Sequence, residues 1–269
     1  MTDNFKLLSD AEHIRKRFSM YGGSQVVQEE VSFINTEFKK VNIVGGLLKV
    51  INEIIDNSVD EHVRTKGEYA TRIDVDIEAD GTIVVSDNGR GIPQGEVFDE
   101  TSGEKILQPV AAWTRVNAGT SFDDSRVTIG TNGVGSAATN FLSSKFVGRT
   151  WKDGKRVEVR CKNGGEDVDV AIKDCANDSG TEVSFVPDYS LFEVNSLDEL
   201  DTIALVEDRL VGLQMAFPEI AFSFNKKRIK VNDLKKYSKL FTGDDNEAII
   251  EKTENLSFFY SSSEDGFRS

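Results

Sequence analysis

The sequence predicts an α+β fold, and three observations carry that prediction. Strand-like segments over residues 145–151, 155–161, 167–173 and 181–186 follow one another without an intervening helix. Two long helical patterns, about 47–65 and 197–217, stand outside that run. With 269 residues and 38% hydrophobic content, the chain can bury one substantial core or two modest ones.

In chain order, Ser9-Asp10-Ala11-Glu12 reads as a capping box that opens a short basic helix through Arg15-Lys16-Arg17. Residues 18–24 make a turn into β-rich sequence around Val26-Val27, Val31–Phe33 and Val41–Val44. Gly45-Gly46 punctuates the chain before the long helix, and strands follow at about 72–77 and 82–86. From Gly89 to Gly135 periodicity is weak, except for a helix expected over 105–113. Residues 117–124 read as a mobile loop of the kind that is usually functional or disordered. A small-residue helix is expected over 136–142, and a hairpin near 220–231 follows the second long helix. Leu256–Tyr260 reads as a strand opening a further unit. No internal repeat or low-complexity tract interrupts this order.

A formal charge of -14 and a pI near 4.7 argue against this piece gripping nucleic acid by itself, since duplex binding needs clustered cations. The local basic patch, Lys226-Lys227-Arg228 with Lys230 and Lys235-Lys236, reads as a solvated hairpin or helix edge, or as a local DNA-facing surface. Cys161 and Cys175 form no C-x-x-C, and His13 and His62 lie far apart, so neither zinc nor a catalytic triad is indicated. No apolar run approaches the ~18 residues of a membrane span, and the first residues do not open a signal peptide. The expectation is a soluble, intracellular chain without a membrane partner.

Three stretches carry chemistry. Residues 82–85 form a strand that breaks into Ser86-Asp87-Asn88-Gly89-Arg90-Gly91-Ile92-Pro93. Asp87 then sits at a rigid strand end, where it can accept hydrogen bonds from a flat amine-bearing ring, and the glycines let backbone approach a ligand. Asp-Asn-Gly is also ordinary turn chemistry, and this stretch alone does not choose. On the long helix, Leu47, Leu48, Ile51, Ile54, Ile55 and Val59 share one stripe, while Glu53, Asn57 and Asp60 share the opposite one. With Asp56 and Glu61 beside them, they are oxygen ligands for a hard cation with one Glu to spare as a base. Any amphipathic helix shows two faces, but an Asn among acids, with no basic residue between Lys49 and Arg64, is unusual. Gly130-x-x-Gly133-x-Gly135 precedes a helix, where backbone N–H groups and the helix dipole favour an anion. A glycine cluster alone is weak. The P-loop pattern is absent, the Rossmann pattern fails at Gln94, and the protein-kinase landmarks are missing.

The four motifs Glu53-x-x-Asp56-Asn57, Asp87-x-Gly89-x-Gly91, Gly130-x-x-Gly133-x-Gly135 and Ser179-Gly180-Thr181, in that order, resemble the GHKL ATPases. Residues 14–24 and 52–61 are similar to the corresponding segments of type IIA DNA topoisomerases, and the likeness covers roughly residues 5–235. Phe18 stands where that family usually has Pro, and Gly22 where it has Ile. Those departures and the 117–122 segment point to the T-even-type bacteriophage branch.

The resemblance implies a two-layer α+β sandwich, a mixed, mostly antiparallel sheet with helices on one face, known as the Bergerat fold. It divides the chain into an N-terminal arm and lead-in (1–24), an ATPase domain (25–240) and the start of a truncated transducer domain (241–269). It implies ATP and Mg²⁺ as cofactors, with Glu53 as the general base and Asn57 as the Mg²⁺ ligand. Asp87 would take the adenine amino group with Thr181 in support, and Gly89, Gly91 and Ile92 would border the base. Gly130, Thr131, Asn132, Gly133, Val134, Gly135 and Ser136 would wrap the phosphates, with Gly119 and Gly130 as lid hinges. The implied activity is ATP-gated homodimerisation driving DNA strand passage, with DNA reached through the full-length enzyme and other topoisomerase subunits as partners. The setting would be cytoplasmic, in the bacterial host if the source is a phage. A signalling or clamp module (histidine-kinase catalytic domain, chaperone or mismatch-repair ATPase) is the alternative, disfavoured by the segment at 14–24. A bare α+β protein would need four coincidences in order.

Overall fold

The structure is a computed structural model that describes residues 8–34, 37–116, 118, 134–176, 178–231, 233–242, 248–252 and 257–260. In chain order its elements are α1 (Asp10–Lys16), β1 (Gln28–Ile34), β2 (Glu37–Ile43), α2 (Gly45–Arg64), β3 (Arg72–Ile77), β4 (Ile83–Asp87), β5 (Glu96–Asp99), β6 (Glu104–Leu107), α3 (Gln108–Thr114), α4 (Gly135–Phe141), β7 (Ser143–Lys152), β8 (Lys155–Lys162), β9 (Asp167–Asp174), β10 (Gly180–Pro187), α5 (Thr202–Ala216), β11 (Ala221–Phe224), β12 (Lys227–Arg228), α6 (Leu234–Thr242), β13 (Ile249–Lys252) and β14 (Ser257–Tyr260). Eight strands form one sheet in the order β12-β11-β3-β4-β10-β7-β8-β9. Its pairings are antiparallel except β11 with β3, which the α5 crossover makes parallel.

Strand alternation decides which face is covered. Ile73 and Val75, Ile83 and Val85, Val183 and Phe185, and Val157, Val159 and Cys161 are buried against α2, α4 and their neighbours in one core. The opposite face carries charge: Arg149 bonds Glu158 at 2.7 Å and also Glu182, while Arg156 and Arg160 converge on the same buried Glu158. Helices on one face and an ionic lattice on the other make the two-layer sandwich that the sequence led us to expect.

The capping box at α1 is present, with Ser9 Oγ accepting from the Glu12 amide at 3.2 Å and Glu12 Oε2 accepting from the Ser9 amide at 3.1 Å. Three expectations need correction. The long helix begins at Gly45, because Gly45 and Gly46 form its first turn rather than preceding it. Residues 105–107, expected to be helical, belong to a strand, Glu104–Leu107, paired with residues 96–99, and Pro109 sets the start of α3. The second long helix starts at Thr202, after a short 3₁₀ turn at Leu197–Glu199. The break arises at Asp201, whose carboxylate accepts from the Asn42 amide at 2.7 Å while its own amide donates to the Asn42 carbonyl at 3.0 Å. The basic patch is the exposed turn of the β11–β12 hairpin, with Lys226 3.7 Å from Glu78, continued along α6.

Candidate functional site

α2 runs beneath the sheet and presents two groups to the start of α4. The Glu53 carboxylate lies against the Gly135 backbone so closely that a Cβ on residue 135 would overlap it. Lys49, one turn earlier, pairs with the same carboxylate. One turn later, Asn57 Nδ2 donates to Ser136 Oγ at 2.9 Å. Two residues singled out on one helix thus meet two singled out on another, 79 positions away in the Asn57–Ser136 case.

Ser58, which the sequence reading did not single out, connects this pair to the strand end. Its Oγ donates to Asp87 Oδ2 at 2.8 Å, and the Gly89 amide donates to Asp87 Oδ1 at 2.8 Å. Burial pushes the Asp87 carboxyl up to about 6 and the nearby Glu61 adds to the rise, while the bonds from Ser58, Gly89 and the Thr181 amide pull the other way. In register, Asp87 stands opposite Thr181 on β10 and Ile73 on β3. The loop after Asp87 is fixed at two further points. Glu61 accepts from Arg90 Nε at 2.7 Å and from the Arg90 amide at 3.1 Å, and the Ile92 amide donates to buried Thr150 Oγ1 at 2.8 Å. Thr150 in turn donates to the Gly180 carbonyl at 3.1 Å. Gly91, with φ of 70°, has an intramolecular reason to be glycine, since a Cβ would collide with the Trp151 carbonyl.

The helix face read as a ligand set divides in two. Asp56 and Asp60 are buried, Asp56 pairing with Arg209 of α5, and Glu61 is held by Arg90. Among the described residues no group of three or more His, Cys, Asp or Glu could hold a metal. The described acids therefore do not form a cation cage, and of that face Glu53 and Asn57 meet the start of α4. Gly119, Gly130, Thr131, Asn132 and Gly133 lie outside the described residues, as does most of the loop expected at 117–124. A cleft of about 460 Å³ at the same strand end is lined by Asp87, Asn88, Trp151, Asp178, Thr181 and Glu182, among others. Ser86 and Glu182, which also line it, alternate with buried Val85 and Val183, so the cleft opens on the uncovered face of the sheet.

Residues 43–191, spanning every described part of this constellation, match the family described as histidine kinase-, DNA gyrase B-, and HSP90-like ATPase. The chain belongs to that ATPase family. The DNA topoisomerase large subunit of Enterobacteria phage T4 is 44% identical over 99% of this chain, which spans 50% of that protein. DNA topoisomerase 2 of Candida glabrata is 31% identical over 89% of the chain and 18% of its own length. The chain thus spans half or less of these relatives. The solved ATPase region of Saccharomyces cerevisiae topoisomerase II superposes with a TM-score of 0.82 at 28% identity, covering 95% of this chain and 70% of that one. This ATPase is therefore homologous to the ATPase regions of type II topoisomerases, and its fold is theirs. No helix among the described residues is long and apolar enough to cross a membrane.

Proposed function

We propose that this ATPase binds ATP with Mg²⁺ between α2, α4 and the β4 strand end, and that its hydrolysis cycle gates a type II DNA topoisomerase. The observation that supports this best is the meeting of Glu53 and Asn57 with Gly135 and Ser136, one turn from the Ser58–Asp87–Gly89 chain.

Each residue has a task suited to its chemistry. Asp87, already oriented by Ser58 and Gly89, accepts the adenine amino group, with Thr181 beside it. Asn57 supplies a neutral amide oxygen for the cation, and its NH₂ is engaged by Ser136, which orients the amide. That donor set fits Mg²⁺, which takes one or two protein oxygens and keeps several waters. When bound, Mg²⁺ neutralises phosphate charge during transfer. Glu53 takes the proton from the attacking water, and the missing Cβ at Gly135 leaves its carboxylate room. Asp56 and Asp60 are poor substitutes as base, being buried behind the helix. Gly130–Ser136 wraps the phosphates in this reading, and residues 241–269 begin a transducer unit. The names of the relatives carry the reading to DNA strand passage, with ATP-driven homodimerisation and further subunits supplied by the whole enzyme.

Calorimetric titration with a non-hydrolysable ATP analogue, with and without Mg²⁺, tests the site. Binding should require Asp87, with Asp87→Asn losing most affinity, because a buried acceptor replaced by a donor costs ~1–3 kcal/mol or more. Glu53→Ala in the full-length enzyme should hold affinity within a few-fold while turnover drops ~10²–10⁴-fold. Unchanged turnover in Glu53→Ala would remove Glu53 as the base.

A further inference from the structure

The cations of this acidic chain are not spread evenly. The whole sequence has 32 Lys and Arg against 46 Asp and Glu, yet residues 226–239 hold seven Lys and Arg and a single acid, Asp233. All seven are exposed. Lys226 lies 3.7 Å from Glu78, and Lys236 pairs with Asp233 at 3.2 Å. Lys227, Arg228, Lys230 and Lys235 have no ion-pair partner among the described residues.

Solvation accounts for lysines on a hairpin, but not for the turn that carries them. Asn225 and Lys226 are the central residues between the paired Phe224 and Lys227, and both have positive φ, 47° and 65°. Such a turn favours Asn followed by Gly. Asn225 fits, and its Oδ1 accepts from the Ile77 amide at 2.8 Å. Lys226 does not fit, because a side chain in left-handed backbone is disfavoured. Its amide is nonetheless held there, donating to Asp76 Oδ1 at 2.9 Å. A charge is thus kept, against local preference, at the tip of a hairpin tied to β3, and strain of that kind clusters where side chains are used.

The chemistry of the stretch says what fits it. Among its described residues none is a large apolar group left exposed, so it offers little to a membrane or an apolar peptide. Asn225 is committed to Ile77, which leaves charged stems and no group placed to read bases. Such a surface suits a regular polyanion met through its backbone. Eight residues separate Lys227 from Lys235 by at most about 29 Å, inside one ~34 Å turn of duplex, so both can reach one segment. We infer that the β11–β12 turn and α6 form a phosphate-tracking surface that contacts duplex DNA without regard to sequence. The choice of duplex rests on the topoisomerase reading proposed above, while the surface itself draws on nothing in the nucleotide site. In a chain of net charge -14 the contact is weak alone, and it serves DNA already held by the rest of the enzyme.

Fluorescence anisotropy of a labelled mixed-sequence duplex, titrated with this chain, tests the surface. Four neutralised phosphates give a slope of about -3.6 in log affinity against log salt, so binding should be ~10²-fold weaker at about 200 mM salt than at about 50 mM. Lys227→Gln should reduce that slope by about 0.9, and glutamine at 227, 228, 230 and 235 together should abolish binding at the lower salt. Lys226→Gly should weaken binding several-fold while matching or raising the parent's unfolding temperature, since glycine suits the turn; misfolding cannot then explain the loss. The thermal shift with an ATP analogue should be the same in all these variants, so a failure of the nucleotide site shows separately. In the full-length enzyme, added duplex should protect Lys227, Lys230 and Lys235 from an amine-acylating reagent. A parent that does not bind at the lower salt, a slope unchanged by the four substitutions, displacement of duplex by polyglutamate at equal charge, or no protection in the full-length enzyme would each overturn the assignment.

Discussion

Asp87, in the adenine-binding role proposed for it, would serve binding at the expense of the fold. Its folded-state value of about 6 lies above the ordinary 3.8, chiefly through burial. The sign follows: the protonated form is favoured in the folded protein, so this contribution to stability is complete below about 3.8 and is lost as pH rises through about 6. At neutral pH the ionised carboxylate therefore opposes folding by on the order of 1–3 kcal/mol. Asp87→Asn should raise the unfolding temperature at pH near 7 while weakening nucleotide binding, and the gain should fade as the pH is lowered toward 4. A gain that is constant with pH would point to a cause other than ionisation. Phe18 makes a packing argument at the same scale. Its ring is buried edge-on to Phe192, at 5.7 Å between centroids, in space that a side chain on Gly22 or Gly46 would need. The large residue at 18 and the small one at 22, both departures from the resembling family, are thus two halves of one exchange of volume. Gly46→Ala should cost about 1–3 kcal/mol by overpacking, and Phe18→Leu in the same chain should recover part of it in thermal unfolding.

At the scale of elements, α2 is the organising piece, and α5 holds its far side. Arg209 of α5 pairs with buried Asp56, whose carboxyl burial pushes upward and Arg209 pulls down. Arg209→Met would leave Asp56 in the interior without its cation. The expected loss is about 2–3 kcal/mol, below the range for fully buried pairs because Arg209 is itself 34% exposed. Urea unfolding measures it, and adding Asp56→Leu to Arg209→Met should return most of it; a double variant as unstable as the single would show that Asp56 is not the source. α2 was legible because its apolar stripe is long and regular. The strands at 145–161 and 181–186 were legible because their apolar residues fall on one buried face, and 167–173 because valine and isoleucine alternate with polar residues and Ala171 even though that strand stays exposed. The β5–β6 hairpin was not: its residues are mostly exposed and show no clear alternation, and its turn chemistry, with Asp99 accepting from the Thr101 amide and Ser102 Oγ, is a short-range signal within weakly patterned sequence. Ser58 and Thr150 escaped for another reason. Each acts by a hydrogen bond to a residue 29 or 58 positions away, and nothing in the local pattern of a hydroxyl residue announces that partner.

At the scale of the molecule, the proposed nucleotide contacts come from α2, α4, β4 and β10, which belong to the same buried core. A ligand held by all four binds the folded chain and not the unfolded one, so it stabilises the whole unit by mass action, by about 2.7 kcal/mol at a hundred times its dissociation constant. Thermal unfolding with graded ATP analogue therefore reports on each role without any catalysis. The parent should show a shift that grows with nucleotide and grows further when Mg²⁺ is added. Asp87→Asn should lose the nucleotide shift in both conditions, whatever its own starting stability. Asn57→Ala should keep a shift without Mg²⁺ and lose the increment that the cation adds, because its amide would hold the metal and not the base. Arg209→Met should start lower and still respond, since its defect lies behind the helix. If Asp87→Asn and the parent moved equally with nucleotide, ATP would be stabilising the chain from somewhere other than the β4 strand end, and the assignment of all four elements to one site would fall with it.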